Sequence, residues 1–296
     1  MTIFPTKILL ATDGSTEAEL AADTASALAK RTGSELHVLH VLGLPIDTQD
    51  PSSFEPEVRR QMEERSRATL EELVGGIESS GGKVAGSHLG VGRPDAQIVE
   101  KAEEIGTGLI VMGSRGYGPI RRALIGSVSD SVVRHAHCPV MVVRGEPLAF
   151  PTNILLATDG SEEADLASAT AVDVAQRTDS ELHVVHVGEV RPVYHPERHG
   201  YLTHYEELQE EAQHLLDRQV EEIESAGGIV ASAHLRMGHP DTEIMGLAGR
   251  LGAGLIVVGS RGRGPLRRAL MGSVSDSVVR HAHCPVMVVR NAEGKA

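Results

Sequence analysis

Short apolar runs alternate with longer amphipathic stretches along the whole chain. Residues 7–12 (KILLAT) are almost wholly apolar up to Asp13, which predicts a strand buried on both faces. From Ser15 to Arg31, alanine and leucine recur at helical spacing, with Ser15 placed to cap the first turn. A second strand is predicted at 35–42 and a long helix at 55–80, stopped by Gly81 and Gly82. A third strand follows at 83–91, a helix opening on Pro94 runs to 105, and a fourth strand covers 108–113. After a glycine-rich loop come a short helix at 127–135 and a fifth strand at 139–144.

The same order returns from Asn153 to Arg290, because the chain is one unit written twice. ILLATDGS stands at both 8–15 and 154–161, and residues 113–144 differ from 259–290 only at 117, 120 and 125. The spacing between copies is constant and needs no gap. Units of this size suit tandem domains rather than a solenoid, so two domains are expected, 1–146 and 147–296, with 145–152 as a short linker. Strands alternating with helices predict an α/β fold, a doubly wound five-stranded parallel sheet in each half. Right-handed crossovers favour the strand order 3-2-1-4-5. Residues 140–143 and 286–289 of the fifth strands carry no charge and fall at sheet edges, so they are expected to pair with each other about a pseudo-two-fold axis.

Composition narrows the partners. Aromatic residues are 2% of the chain, with no Trp, so the core is built from Ala, Val, Leu and Ile, and stacking platforms for nucleic acid are missing. A net charge of −13 argues further against a nucleic-acid partner. No apolar run is long enough to predict a membrane span, and the N-terminal stretch lacks a basic leader region. Two cysteines give no disulfide framework, and the expected compartment is the cytoplasm.

In a doubly wound sheet a ligand sits beyond the carboxyl ends of the strands where the winding reverses. That point lies between Asp13, after strand 1, and Gly113, ending strand 4. The segment Gly113-Ser114-Arg115-Gly116 is followed nine residues later by Gly126-Ser127, where a helix starts; the second copy reads Gly259-Ser260-Arg261-Gly262 and Gly272-Ser273. Glycines admit a phosphate close to backbone amides, and a helix start favours an anion. Ser127 and Ser129 can add hydroxyl donors, and Asp13 can accept from ribose hydroxyls. Residues 113–144 hold five Arg and one Asp inside an acidic chain. One such loop could be a surface loop with helix-capping serines; two copies, each beside a strand-end Asp, point to phosphate.

The spacing Gly-x2-Gly-x9-Gly-Ser, the Asp closing strand 1 and the closing CPVMVVR strand resemble the universal stress proteins, specifically their tandem, ATP-binding branch. The resemblance covers residues 3–290. It implies that Asp13 and Gly14 meet the nucleoside, that Val41 meets adenine through its backbone, and that Gly113, Ser114, Arg115, Gly116, Gly126, Ser127, Val128 and Ser129 cradle the phosphates. The second set would be Asp159, Gly160, Val187, Gly259, Ser260, Arg261, Gly262, Gly272, Ser273, Val274 and Ser275. ATP, with Mg as a candidate companion, is the implied ligand, and a homodimer of the whole chain the candidate partner beyond the internal pairing.

Other motifs carry less. SSGGKV at 79–84 resembles the end of a phosphate-binding P-loop but has Val after Lys83, and the copy has Ile229 in place of that lysine. Arg121-Arg122 and Arg267-Arg268 could meet a polyphosphate tail or simply face water. His135, His137 and Cys138 recur at 281, 283 and 284, which suits framework roles at a helix end better than a metal site, and both cysteines are expected to be packing residues. The leading function is therefore an ATP-binding stress-response regulator that signals by occupancy, without an assigned catalytic residue or metal. A slow ATPase or adenine-nucleotide hydrolase and a nucleotide-free scaffold are the alternatives.

Overall fold

The computed structural model describes residues 5–43, 55–116, 125–145, 149–189, 193–195, 200–202, 205–262 and 271–290. In the first half the order is β1 (Lys7–Thr12), α1 (Thr16–Thr32), β2 (Glu35–Gly43), α2 (Pro56–Ser79), β3 (Val84–Gly92), α3 (Pro94–Ile105), β4 (Leu109–Gly113), α4 (Ser127–His135) and β5 (Val140–Val143). The second half begins β6 (Asn153–Thr158), α5 (Glu162–Thr178) and β7 (Glu181–Gly188), followed by two short strands, β8 (Val193–His195) and β9 (Gly200–Leu202). It ends with α6 (Tyr205–Ser225), β10 (Ser232–Met237), α7 (Pro240–Leu251), β11 (Ala253–Gly259), α8 (Ser273–His281) and β12 (Val286–Val289).

Local chemistry accounts for the boundaries. The Ser15 hydroxyl accepts the Ala18 N–H at 3.3 Å, and Gly33 ends α1 in the left-handed region at φ 72°. Ser161 caps α5 in the same way through the Ala164 N–H. Pro94 and Pro240 open their helices at the first position, where a missing N–H costs nothing.

The strand order of the ten-stranded sheet is β10-β7-β6-β11-β12-β5-β4-β1-β2-β3, so each half follows 3-2-1-4-5 and within each half the strands of this sheet pair parallel. At the centre β5 and β12 pair antiparallel, with Met141 opposite Met287. Alternating residues feed the two faces: Ile8 and Leu10 join α1 and α2 on one side, while Leu9 and Ala11 join α3 and α4 on the other. Met141, Val143, Met287 and Val289 carry the first of these cores across the joint.

Charged groups cross the joint as well. Arg134 pairs with Asp130 at 3.0 Å and with Asp276, and Arg280 pairs with Asp276 at 2.8 Å and with Asp130. Arg290 Nη1 donates to the carbonyls of Arg134 and Ala136, both at 2.9 Å, and Nη2 donates to Val133 at 2.8 Å, capping the end of α4. Arg144 caps α8 from the other half, donating to Arg280 at 2.7 Å and Ala282 at 3.1 Å. Cations at a helix C-terminus meet both the unsatisfied carbonyls and the negative end of the dipole.

Two details differ from the sequence expectation. The β8–β9 hairpin, with Tyr194 opposite Tyr201, was not foreseen, since strands of three residues leave no readable period. The strand expected at 229–237 starts at Ser232, because Ile229 and Val230 lie outside the ladder and Ile229 is exposed to solvent.

The cysteines behave as packing residues: Cys138 and Cys284 sit against the core on the α3/α4 side. Burial pushes the Cys138 thiol up to about 12 and Cys284 to about 11, so little thiolate exists at neutral pH. Alkylation by iodoacetamide near neutral pH is expected to be slower than that of a free thiol by well over about tenfold in the native protein, and ordinary after denaturation. A native rate equal to the denatured one would contradict this placement.

Candidate functional site

The strand ends of the second half frame a cleft of about 1060 Å³, just above the usual range of roughly 300–1,000 Å³ for small-molecule sites. Its floor is the end of β6 (Ala157 and Thr158), the Asp159 that follows it, and the end of β7 (Val185 to Gly188). One wall is the loop from Gly259 to Gly262 with the start of α8, Gly272 to Ser275. The other wall is α6, through Glu207, Leu208, Glu211, Ala212 and Leu215. Of the residues expected from the sequence, Asp159, Val187, Gly259, Arg261, Gly262, Gly272, Ser273, Val274 and Ser275 all line it. Gly160 and Ser260 are not among the lining residues.

Each glycine has a local reason. Gly14 and Gly160 turn the chain into α1 and α5 with φ of 81° and 70°, a region that favours glycine. Gly116 and Gly262 press the loop onto the Asp13 and Asp159 carboxylates, and an added Cβ would collide with Oδ2 in both halves. Gly113 and Gly259 bring the end of the fourth strand of each half against the backbone of α1 or α5, where a Cβ would come within 2.9 Å of the Glu17 or Glu163 carbonyl. Gly126 and Gly272 are N-caps of α4 and α8 that provide no capping side chain, so the first-turn amides at 127–129 and 273–275 receive no side-chain cap.

The carboxylates are fixed by the turn they close. Asp13 Oδ1 accepts the Ser15 N–H at 3.0 Å; Asp159 Oδ1 accepts the Ser161 N–H at 3.1 Å and its hydroxyl at 2.6 Å. The loop is pinned by backbone bonds, from the Gly126 N–H to Ser114 O at 2.7 Å and from the Ser114 N–H to Val143 O at 2.8 Å. The second copy repeats both, at 2.8 Å and 2.6 Å.

Several serines expected to contact a phosphate do something else. Ser129 and Ser275 are buried, and their hydroxyls donate to Gly113 O at 2.8 Å and Gly259 O at 2.6 Å. They tie the helix start to the strand end, which leaves their backbone amides, not their hydroxyl protons, for an anion. Ser114 and Ser260 are buried too, and the Ser114 hydroxyl is hydrogen-bonded to Glu17. Ser127 and Ser273 are exposed, so they alone of these serines present a hydroxyl at the mouth.

The two arginines also differ. Arg115 is ion-paired with Glu17, its Nε at 2.7 Å from Oε1. In the second half Arg261 Nε is buried without a partner among the described residues. Arg121, Arg122, Arg267 and Arg268, the candidates for a polyphosphate tail, lie outside the described residues.

Some lining residues were not anticipated from the sequence. His186 lines the cleft, its Nδ1 at 2.8 Å from Thr158 O, and His40 makes the same contact with Thr12 O at 3.0 Å. Its duplication at a strand end beside Asp13 was the available signal. The α6 wall had none, because helical spacing shows which face is buried but not what lies beside its edge. Among the described residues no group of three or more His, Cys, Asp or Glu could hold a metal; His137 is instead 2.6 Å from Glu103. No helix among them is long and apolar enough to cross a membrane.

Comparison with known proteins agrees with the duplicated architecture. The model of the universal stress protein family matches residues 5–144 and again 151–290. A universal stress protein of Mycobacterium tuberculosis H37Rv is 31% identical over 298 residues, covering 96% of this chain and 97% of its own. The crystal structure of a universal stress protein from Archaeoglobus fulgidus superposes with a TM-score of 0.71 at 26% identity, covering 98% of this chain and 97% of that one. One from Pseudomonas aeruginosa, at 21% identity and a TM-score of 0.69 over 98% and 94%, shares the fold. With the family's pattern matched twice and a relative aligned almost end to end, the chain belongs to the universal stress protein family, as two copies of its domain in tandem.

Proposed function

We propose that each half, divided near residue 146, binds one adenine nucleotide, and that the chain acts in the cytoplasm as a stress-response regulator through occupancy of these sites. The reading rests on one observation: uncapped amides at the start of α8, the Asp159 carboxylate and the end of β7 at Val187 meet in one cleft. The amides and Arg261 suit the phosphates of ATP, with Mg²⁺ accompanying them. Asp159 suits ribose hydroxyls, and the backbone at Val187 suits adenine. The repeat gives Asp13, Val41, Arg115 and the start of α4 the same parts in the first half. No residue beside the loop is assigned as a general base, so binding rather than turnover is the function. The internal pair of domains is the working unit, and association of whole chains would add to it.

Calorimetry on nucleotide-stripped protein tests this. Two ATP per chain are expected, with ATP preferred over GTP. No binding below millimolar concentration would refute it. Prolonged incubation should leave ATP intact, and steady release of ADP or AMP would make the protein an enzyme.

A further inference from the structure

Each end of the ten-stranded sheet carries a histidine pair, away from the strand ends that form the cleft. Leu36 and Val38 face the α1/α2 core, so His37 between them faces α3. His88 of β3 lies beside it, the ring centroids 5.4 Å apart and His37 Nδ1 3.2 Å from His88 Nε2. The second half repeats the pair on the α7 side as His183 of β7 and His234 of β10, 5.7 Å apart.

The two pairs are held differently. In the first the rings are hydrogen-bonded to each other, although His37 Nε2 has no hydrogen-bond partner among the described residues. In the second, both ring nitrogens of the buried His183 and Nε2 of His234 have none. Exposed Glu35 and Glu181 stand 3.6 and 3.7 Å from His37 and His183. From α3 the first pair meets Lys101 and Glu104, which are ion-paired with each other. From α7 the second pair meets Arg250, at the position of Glu104, and from β10 itself Arg236, where β3 has Gly90. Glu243 of α7 lies against Gly238, beyond the end of β10. Burial holds His234 below the usual histidine range, and His183, Arg236 and Arg250 all push it the same way. For His88, burial, Lys101 and His37 act likewise, but Glu104 opposes them.

We propose that the outer edge of the second half is an acid-sensitive latch: in mild acid His234 takes up a proton by letting β10 part from β7, while β3 stays on β2. In the parted edge His234 titrates in water at about 6.5, whereas in the closed edge it is held lower. The open form therefore binds the proton better, and acid favours it. Closure is weakened as pH falls below about 6.5 and is unaffected above about pH 7.5. The first pair accepts one proton without parting, because its ring-to-ring bond then becomes charge-assisted and Glu104 faces it. Nucleotide binding plays no part in the latch.

Hydrogen exchange of the full chain at pH 7.5, 6.5 and 5.5, corrected for the intrinsic exchange rate, tests it. Circular dichroism and melting should show that the fold persists at each pH. Between pH 7.5 and 5.5 the opening equilibrium at 232–237 should rise about tenfold, the factor given by one imidazole protonated only in the open form. At 84–92 the rise should stay below about threefold. His234→Gln should remove the rise in β10. Arg250→Glu, which installs the residue of the first half, should reduce it to that of β3. Opening of β10 that is indifferent to pH, an equal rise in β3, or a rise that persists in either variant would overturn the latch. So would cooperative unfolding of the whole chain by pH 5.5.

Discussion

Replacing Gly126 and Gly272 together by Glu is expected to abolish nucleotide binding in a protein that still folds. Gly126 caps α4 at φ −74° and ψ 152°, backbone angles open to any residue. The nearest atoms to an added Cβ are Ser114 O at 3.4 Å and Arg115 Cα at 3.5 Å, and at Gly272 Arg261 Cα and Ser260 O lie at 3.5 and 3.6 Å. The side chain can therefore be accommodated, and a stability change near half a kcal/mol is expected. Beyond Cβ it must enter the space before the first-turn amides. There it brings bulk and a negative charge against a polyanion, so steric and Coulomb effects have the same sign. Losing two or more phosphate contacts at about 1.5 kcal/mol each weakens binding more than a hundredfold at each site. Each single substitution should remove one equivalent of nucleotide and leave the other. A folded double variant that takes up ATP with unchanged stoichiometry would dissociate the loop from the phosphates.

Arg290→Ala is expected to be the most destabilising single arginine substitution, although Arg290 lies more than about 150 residues from the helix it caps. Its guanidinium donates three hydrogen bonds to Val133, Arg134 and Ala136, and burial works against its charge. Truncation leaves three carbonyls at the end of α4 without that partner, in a half-buried joint where water substitutes poorly. A cost of about 3 kcal/mol follows from charge-assisted bonds at about 1.5–3 kcal/mol each, less the recovered desolvation of the cation. The melting temperature should fall by roughly 6–10 °C. Arg290→Lys keeps the charge but not the fork and should restore little of it. Arg218→Ala, which removes an exposed pair with Glu222, serves as the control and should shift melting by about 1 °C or less. A loss in Arg290→Ala no larger than in this control would show that the crossing bonds do not stabilise the joint.

How far the sequence carried the fold is clearest at β1. Ile8, Leu9, Leu10 and Ala11 are apolar in succession, which only a strand covered on both faces can bury, and both faces are covered. The gapless repetition then delivered the second half apart from the β8–β9 hairpin, and the crossover rule gave the order 3-2-1-4-5 seen in each. The candidate site was legible at positions with a single role, such as Gly126 and Gly272 as uncapped helix starts, and Asp13 and Asp159 as strand-end carboxylates. It was not legible where a residue has two faces to choose from. Ser129 sits in the first turn of α4 as Ser127 does, and only the packed structure shows that one donates inward to Gly113 while the other is exposed. The same holds for Gly113, whose bare Cα is also required by the nearness of α1, a packing reason that the sequence pattern does not show.

The antiparallel joint between β5 and β12 has a consequence for how such chains meet one another. Each half supplies the same strand, the same Arg/Asp pair on its last helix and the same capping arginine, so either half can complete the other. Nothing in these contacts requires the two halves to come from one polypeptide. Self-pairing prevails because the short connection holds the partner at an effective concentration of about millimolar. A longer or cleaved connection would lower that concentration and let halves of different chains exchange, yielding closed swapped pairs or open strings of domains built on the same joint.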